Sequence, residues 1–108
     1  MPFDPDLAQL MRDALGDRPG IVEKKMFGGL CWMLNGNMLC GVESTRFMFR
    51  VGKDREADAL KWPGASPMEW TGRRAGGLVW VAPDEAVDYG LEKMIDFAAE
   101  FAGSLPPK

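Results

Sequence analysis

Apolar positions at the start of the chain follow a helical period. In the stretch DPDLAQLMRDALG, apolar side chains recur three and four residues apart, at Leu7, Leu10, Met11, Ala14 and Leu15. Asp4 suits the N-cap, Pro5 the first helical position and Gly16 the end of a helix. The pattern predicts a first helix with one apolar face that packs against the rest of the fold.

From Ile21 onward the period changes to that of β-strands. Short runs rich in Val, Phe, Trp, Leu and Met predict four strands, over Ile21–Phe27, Leu30–Leu34, Asn37–Val42 and Arg46–Val51. Asn35 and Gly36 separate the second run from the third, and this dipeptide favours the two-residue type I′ turn, which needs positive φ at both positions. The runs therefore predict an antiparallel meander.

The two-residue turn also predicts a register for the hairpin. Counting outward from the turn gives these pairs: Leu34 with Asn37, Met33 with Met38, Trp32 with Leu39, and Cys31 with Cys40. One face of the hairpin then carries Leu30, Trp32, Leu34 and Leu39. The other face carries Met33, Met38, Cys31 and Cys40. Both faces of this hairpin are therefore predicted to be apolar.

The middle of the chain has weaker signals. Residues 52–62 predict a short second helix that ends before Pro63. Residues 63–77 are rich in Gly and Pro and predict mostly loop, with a brief strand at Met68–Trp70. Residues 78–82, LVWVA, predict a buried strand.

A helical stripe returns near the end of the chain. It predicts the longest helix, from Asp84 or Asp88 to about Gly103, followed by an extended tail. Hairpins rather than repeated βαβ units connect the middle of the chain. The fold class predicted from this order is α+β with two layers: an antiparallel sheet, a meander of about four to six strands, packed with three helices.

A hairpin that is apolar on both faces requires cover on both. The predicted helices occupy one face. The other face then requires a second copy of the chain, a partner protein or a ligand as its cover. The alternative is that a helix or the long loop over residues 63–77 folds over it. Methionine suits a surface that repacks against a partner, which makes Met33, Met38 and Met48 the candidate interaction surface of a homodimer. Pairing between edge strands is a competing geometry for the dimer.

The two cysteines face each other in the predicted register. Free cysteine is among the most buried residue types, and cytoplasmic thiols are kept reduced, so the preferred interpretation is apolar packing. The alternative is that Cys31 and Cys40 form a redox-responsive pair, although a disulfide across such a hairpin would be strained.

Composition indicates one globular domain, over residues 1–108, and excludes several kinds of site. No stretch is apolar enough to span a membrane and no secretory signal is recognisable, which predicts a cytoplasmic protein. The sequence contains no histidine, so the usual general base and the commonest metal ligand are absent. We therefore expect no enzymatic activity, no catalytic residue, no metal site and no cofactor; the least favoured alternative is a small enzyme that uses a thiol.

The charge balance argues against nucleic-acid binding, with one local exception. The net charge is -3, whereas proteins held to phosphate backbones usually carry a basic excess. The stretch TGRRAGG, however, places Arg73 and Arg74 in a glycine-bounded loop. This loop is a candidate phosphate-binding surface together with Lys24, Lys25, Arg46 and Arg50. No nucleotide-binding motif accompanies it, so a solvated hairpin loop is the simpler interpretation and nucleic-acid binding the alternative function.

A series of short motifs extends along most of the chain. The motifs are KMFGG from Lys25, GNM from Gly36, CGV from Cys40, RVG from Arg50, PGASPM from Pro63, TGR from Thr71 and SLPPK from Ser104. In this order and spacing they resemble the TfoX/Sxy N-terminal-domain family, from about Val22 onward.

The resemblance implies a two-layer α+β domain similar in shape to the MmcQ/YjbR-like proteins. In the long regulators of natural competence this domain precedes a C-terminal helical domain, and the two-domain protein is regarded as a transcriptional co-activator. The resemblance therefore implies a protein partner in the transcription machinery. The family offers no catalytic residues. The expected function is that of a non-enzymatic binding or regulatory module that acts through protein–protein contacts.

Overall fold

The computed structural model of the chain describes residues 3–26, 28–70 and 72–107. In this part of the chain six strands form one antiparallel sheet: β1 (Ile21–Met26), β2 (Gly29–Leu34), β3 (Asn37–Glu43), β4 (Arg46–Arg50), β5 (Ala65–Trp70) and β6 (Arg73–Val81). Their order across the sheet is β1-β2-β3-β4-β6-β5. The α+β class and the antiparallel meander are therefore confirmed. Phe27, the last residue of the predicted first strand, lies outside the described residues.

The described residues contain four α-helices beside the sheet, where three were predicted. They are α1 (Pro5–Leu15), α2 (Glu56–Ala59), α3 (Pro83–Tyr89) and α4 (Leu91–Ala102), and one 3-10 turn, Lys53–Arg55, precedes α2. The additional helix arises because the predicted last helix is interrupted at Gly90, whose φ of 121° is not helical. None of these helices is long and apolar enough to cross a membrane.

Helix α1 forms as its sequence signals predict. The side chain of Asp4 accepts a hydrogen bond from the Asp6 backbone N–H at 2.9 Å, and Gly16 ends the helix with a φ of 59°. Its buried face consists of Leu7, Ala8, Met11 and Leu15. Leu10, which the pattern included in the apolar stripe, is 41% exposed. The helix packs against the sheet through a narrower face than predicted.

The predicted turn between β2 and β3 is confirmed, but only the first part of the register holds. Asn35 and Gly36 both have positive φ, at 53° and 85°. Leu34 pairs with Asn37 and Met33 with Met38, after which the register shifts at a β-bulge. Beyond the bulge the observed pairs are Trp32 with Cys40, Cys31 with Gly41 and Leu30 with Val42.

The bulge makes the predicted pairs Trp32–Leu39 and Cys31–Cys40 wrong. Leu39 is the extra residue, so Leu39 and Cys40 both enter the main core, fully buried. Gly41 then lies opposite Cys31, where a Cβ atom would come within 2.8 Å of the Leu30 carbonyl oxygen and 3.2 Å of Cys31 Sγ. A glycine thus gives the space that the shifted register requires.

The segment predicted as mostly loop, residues 63–77, contributes most of a β-hairpin instead. Strand β5 pairs with β6, and β6 pairs in turn with β4. Pro67 is compatible with β5 because β5 is the edge strand, where a missing N–H group removes no bond from a central ladder. The predicted strand at residues 78–82 is part of the longer β6.

The helices cover one face of the sheet and form the main core with it. Helix α4 buries Leu91, Met94, Ile95, Ala98 and Ala102. These side chains belong to the same apolar cluster as Phe47 and Phe49 of β4 and Val79 and Val81 of β6. The C-terminal tail follows α4 back to the sheet, where Asn37 Nδ2 donates a hydrogen bond to the Pro106 carbonyl oxygen at 3.0 Å.

Candidate interaction surface

The face of the sheet opposite the helices carries a second apolar cluster, called here the methionine face. Its buried members are Cys31, Met48 and Met68. Its partly buried members are Met26, Met33, Met38, Ala75, Leu78 and Trp80. In the described chain every one of these residues belongs to a strand. Side chains along a strand alternate between the two faces of a sheet, which allows these residues to share one face. No helix of the described chain contributes to this cluster.

The methionine face has a buried floor and a partly exposed rim. Met48 is only 1% exposed, and Met33 and Met38 lie partly exposed beside it. Of the three methionines predicted as an interaction surface, the structure therefore brings Met33 and Met38 to the outside. Met48 supports them from beneath. The predicted apolar character of both hairpin faces is present, with Cys40 on the helix face instead of this one.

Trp80 borders this surface in an unusual environment. The guanidinium carbon of Arg46 lies 3.3 Å from the centre of a Trp80 ring, and Arg46 Nε lies 3.1 Å from Glu43 Oε1. The indole Nε1–H of Trp80 is buried without an acceptor among the described residues. A buried donor without an acceptor is unfavourable.

Comparison with known proteins assigns the chain to a family. A family model, TfoX N-terminal domain, matches residues 13–100. The chain belongs to this family. No curated protein and no solved structure matches it. The matched residues extend from within α1 to within α4, so all six described strands and the whole methionine face belong to the TfoX N-terminal domain.

Two buried thiols lie on opposite faces of the sheet in this TfoX N-terminal domain. Cys31 belongs to the methionine face, and Cys40 belongs to the main core, where its Sγ donates to Met11 Sδ at 3.7 Å. Burial raises the pKa of Cys31 to about 11 and raises the pKa of Cys40 further above its usual range. Cys31 and Cys40 therefore do not face each other, as the redox interpretation required. A neutral thiol is a poor nucleophile.

Both thiols are expected to resist a thiol-specific reagent such as Ellman's reagent in the native protein, because each is buried and protonated near neutral pH. Unfolding in urea should make both react at the rate of a free cysteine. The measurement is the absorbance change with and without urea. Rapid reaction of either thiol in the folded protein would contradict this expectation.

Within the described residues, the lysines of the predicted phosphate-binding surface do not lie near the arginine loop. Arg73 is exposed near the tip of the β5–β6 hairpin, and the side chain of Arg74 lies outside the described part. Lys24 and Lys25 lie on β1, four strand positions away from β6, a separation of about 19 Å at the usual strand spacing. Arg46 is paired with Glu43, as described above.

Sequence reasoning did not assign five members of the methionine face: Met26, Met68, Ala75, Leu78 and Trp80. Trp80 and Leu78 alternate with Val79 and Val81 in β6, so a period of two within LVWVA was the signal that placed them on the second face. Met68 was placed in a brief strand, but without a partner strand its face could not be assigned. In the described residues, no group of three or more His, Cys, Asp or Glu side chains is arranged to hold a metal ion.

Proposed function

We propose that this TfoX N-terminal domain is a non-enzymatic binding module of regulatory type, which acts through protein–protein contacts made by the methionine face. The single observation that supports this most strongly is that an apolar cluster covers the sheet face to which no helix contributes. Contiguous apolar surface of this kind on a soluble domain commonly marks an interaction site.

The first partner we propose is a second copy of the chain. The partly exposed side chains of Met33 and Met38 are flexible enough to interdigitate with the same residues of a partner copy. The rim carries both signs of charge, in the adjacent Glu43 and Arg46. A two-fold contact can exchange such a pair between copies, and two-fold dimers are the commonest closed assemblies.

Edge-strand pairing is a weaker candidate for the dimer. Lys24 and Lys25 are exposed on the edge strand β1, and lysines on an edge strand oppose pairing with another copy. The opposite edge strand, β5, contains Pro67, which cannot donate a backbone hydrogen bond. Both edges thus favour contact through the face of the sheet.

The absence of catalysis is part of the proposal. The chain has no histidine, and its two thiols are buried with raised pKa values. Ser–His and Cys–His nucleophile pairs are therefore excluded, and the buried thiols are poor nucleophiles. Binding is the function that the remaining surface supports.

Sedimentation equilibrium tests the proposed dimer. The unchanged protein is expected to sediment as a dimer of the 11.9 kDa chain at micromolar concentration. Met33→Asp and Met38→Asp place a carboxylate in the contact and should raise the dimer dissociation constant about 100-fold or more, because an unpaired buried charge costs several kcal/mol. Val87→Asp is the matched control: Val87 is 50% exposed on α3, in the helix layer, and its change should leave the dimer intact.

Two results would contradict the proposal in different ways. A monomer up to millimolar concentration would exclude the second copy as partner. A DNA complex that weakens steeply with salt and is abolished by changing Arg73 and Arg74 to alanine would support the alternative, nucleic-acid binding through the hairpin loop. That loop has one described exposed arginine, Arg73, in its favour.

A further inference from the structure

A cleft of about 470 Å³ lies between the end of β4, the 3-10 turn, β6 and the end of α4. It is lined by Arg50, Gly52, Lys53, Asp54, Arg55, Gly76, Gly77 and Phe101. These residues come from the end of β4 and the residues after it, the 3-10 turn, the middle of β6 just before its pairing with β4 begins, and the last turn of α4. Its volume falls within the range of small-molecule sites in proteins.

Two cations in this cleft are available to a ligand. Within the described residues, no carboxylate oxygen lies within 4.0 Å of the charged nitrogens of Arg50 or Lys53. Arg55 differs, because it lies 3.1 Å from Glu100 Oε1 and donates to the Phe97 carbonyl oxygen at 3.1 Å. Arg55 therefore joins the 3-10 turn to α4. Arg50 and Lys53 supply the positive charge that has no carboxylate partner among the described residues.

Glycines hold the walls of the cleft close together. Val51 N–H and Gly52 N–H both donate to the Gly77 carbonyl oxygen, at 2.8 and 3.2 Å. Gly52 has a φ of 89°, and a Cβ atom there would lie 2.6 Å from Cδ1 of Phe101. A Cβ atom at Gly77 would lie 3.0 Å from the backbone of Gly52 and Lys53. Only residues without side chains at these positions leave the Phe101 ring at the surface of the cleft.

The ring and the cations are close to each other. The guanidinium carbon of Arg50 lies 5.4 Å from the centre of the Phe101 ring, and the aliphatic stem of Lys53 lies over Gly76, where a Cβ atom would be 3.1 Å from Lys53 Cε. An arginine, a lysine and a partly exposed aromatic face together suit a molecule that has an anionic group and a flat group.

We propose that this cleft binds a small aromatic phosphate monoester, with its phosphate between Arg50 and Lys53 and its ring against Phe101. Arginine recognises phosphate oxygens through two parallel N–H donors, and lysine adds a compact charge. The proposal goes beyond protein–protein contact and involves none of the residues of the methionine face. Two carboxylates oppose the anion, so the expected affinity is moderate: the exposed Asp54 lines the cleft, and Glu56 Oε1 accepts a hydrogen bond from the Gly77 N–H at 3.0 Å.

Nitrogen-15 chemical-shift titration with adenosine 5′-monophosphate tests the proposal. Saturable shifts are expected at the amides of Gly52, Gly76 and Gly77, and parallel titrations use inorganic phosphate and adenosine. Phosphate should bind the same amides more weakly, and adenosine should not saturate them. The double change Arg50→Gln with Lys53→Gln should weaken nucleotide binding about 100-fold, since each of the two charge-assisted interactions contributes roughly a factor of ten.

Two further variants separate the parts of the site. Lys61→Gln removes an exposed lysine that does not line the cleft and should leave binding unchanged. Phe101→Leu should weaken binding of the nucleotide and leave that of inorganic phosphate unchanged. The proposal is overturned if millimolar nucleotide shifts none of the cleft amides, if the Arg50 and Lys53 changes have no effect, or if phosphate binds as tightly as the nucleotide. Far-ultraviolet circular dichroism confirms that each variant is folded.

Discussion

Phe49→Ala is expected to lower the free energy of unfolding by about 3–5 kcal/mol, the range for deleting a fully buried aromatic side chain. Phe49 lies at the centre of the helix face of β4 and is 0% exposed. Its ring meets Trp62 edge to face, with centroids 5.8 Å apart, and Trp62 meets Phe97 of α4 in the same way at 5.2 Å. Removing Phe49 leaves a cavity where sheet, α4 and the segment after α2 meet. Urea denaturation monitored by circular dichroism gives the value.

Phe49→Leu is the matched control for this prediction. Leucine keeps most of the apolar volume but loses the edge-to-face contact with Trp62, so the expected loss is about 1 kcal/mol. Val22→Ala, at a side chain that is 61% exposed, should change stability by less than about 0.5 kcal/mol. A loss below about 1 kcal/mol for Phe49→Ala would mean that this aromatic cluster does not hold the layers together.

Local signals predicted the elements that are stabilised locally. Helix α1 begins at a cap by Asp4 and ends at Gly16, both of which act within a few residues along the chain. The type I′ turn at Asn35 and Gly36 likewise depends on the conformations of two residues. These parts of the fold could therefore be located without knowledge of the tertiary structure.

Elements that depend on distant partners could not be predicted in the same way. Strand β5 contains Pro67 and follows Gly64, yet it forms because β6 is available to pair with it. The bulge at Leu39 places two consecutive side chains in the main core, a choice that depends on packing beneath the sheet. Alternation alone assigned Cys40 to the wrong face, because the bulge interrupts the period of two.

The two candidate sites differ in the same way: one depends on a local turn and the other on tertiary packing. Met33 and Met38 could be predicted as a partly exposed apolar pair, because their pairing is set by the adjacent turn. The cleft between Arg50 and Phe101 could not, because those residues are brought together by the packing of α4 beside the end of β4. Arg50 was noted for its charge, but its neighbours Gly77 and Phe101 come from distant parts of the chain.

The two faces of the sheet differ in chemistry as well as in exposure. Aromatic and branched residues such as Phe47, Phe49 and Val79 fill the helix face, where one arrangement is fixed by close packing. Methionines dominate the opposite face, whose side chains adapt more readily to another surface. This division means that loss of partner binding and loss of stability can be produced by different substitutions, as the Met33→Asp and Phe49→Ala variants are designed to show.

Asn37→Asp is expected to destabilise the fold by about 2–4 kcal/mol at neutral pH, because it buries a carboxylate next to a carbonyl oxygen. Asn37 is a polar residue that is only 2% exposed, and its Nδ2 donates to the Pro106 carbonyl oxygen. The introduced carboxyl cannot donate while ionised, so the C-terminal tail loses this attachment.

The pH dependence of the Asn37→Asp variant distinguishes this explanation from simple loss of packing. Burial raises the pKa of the introduced carboxyl above its value in the unfolded chain, roughly 4, so the penalty should grow as pH rises above that value and diminish as pH falls below it. In the protonated form the carboxyl can donate its O–H group to the Pro106 carbonyl oxygen, as the amide does. Asn35→Asp, the same change in the exposed turn, should show little loss at either pH. If both variants lost equal stability, or if the loss at Asn37 were the same at pH ~4 and pH ~7, the buried hydrogen bond to the tail would not be the cause.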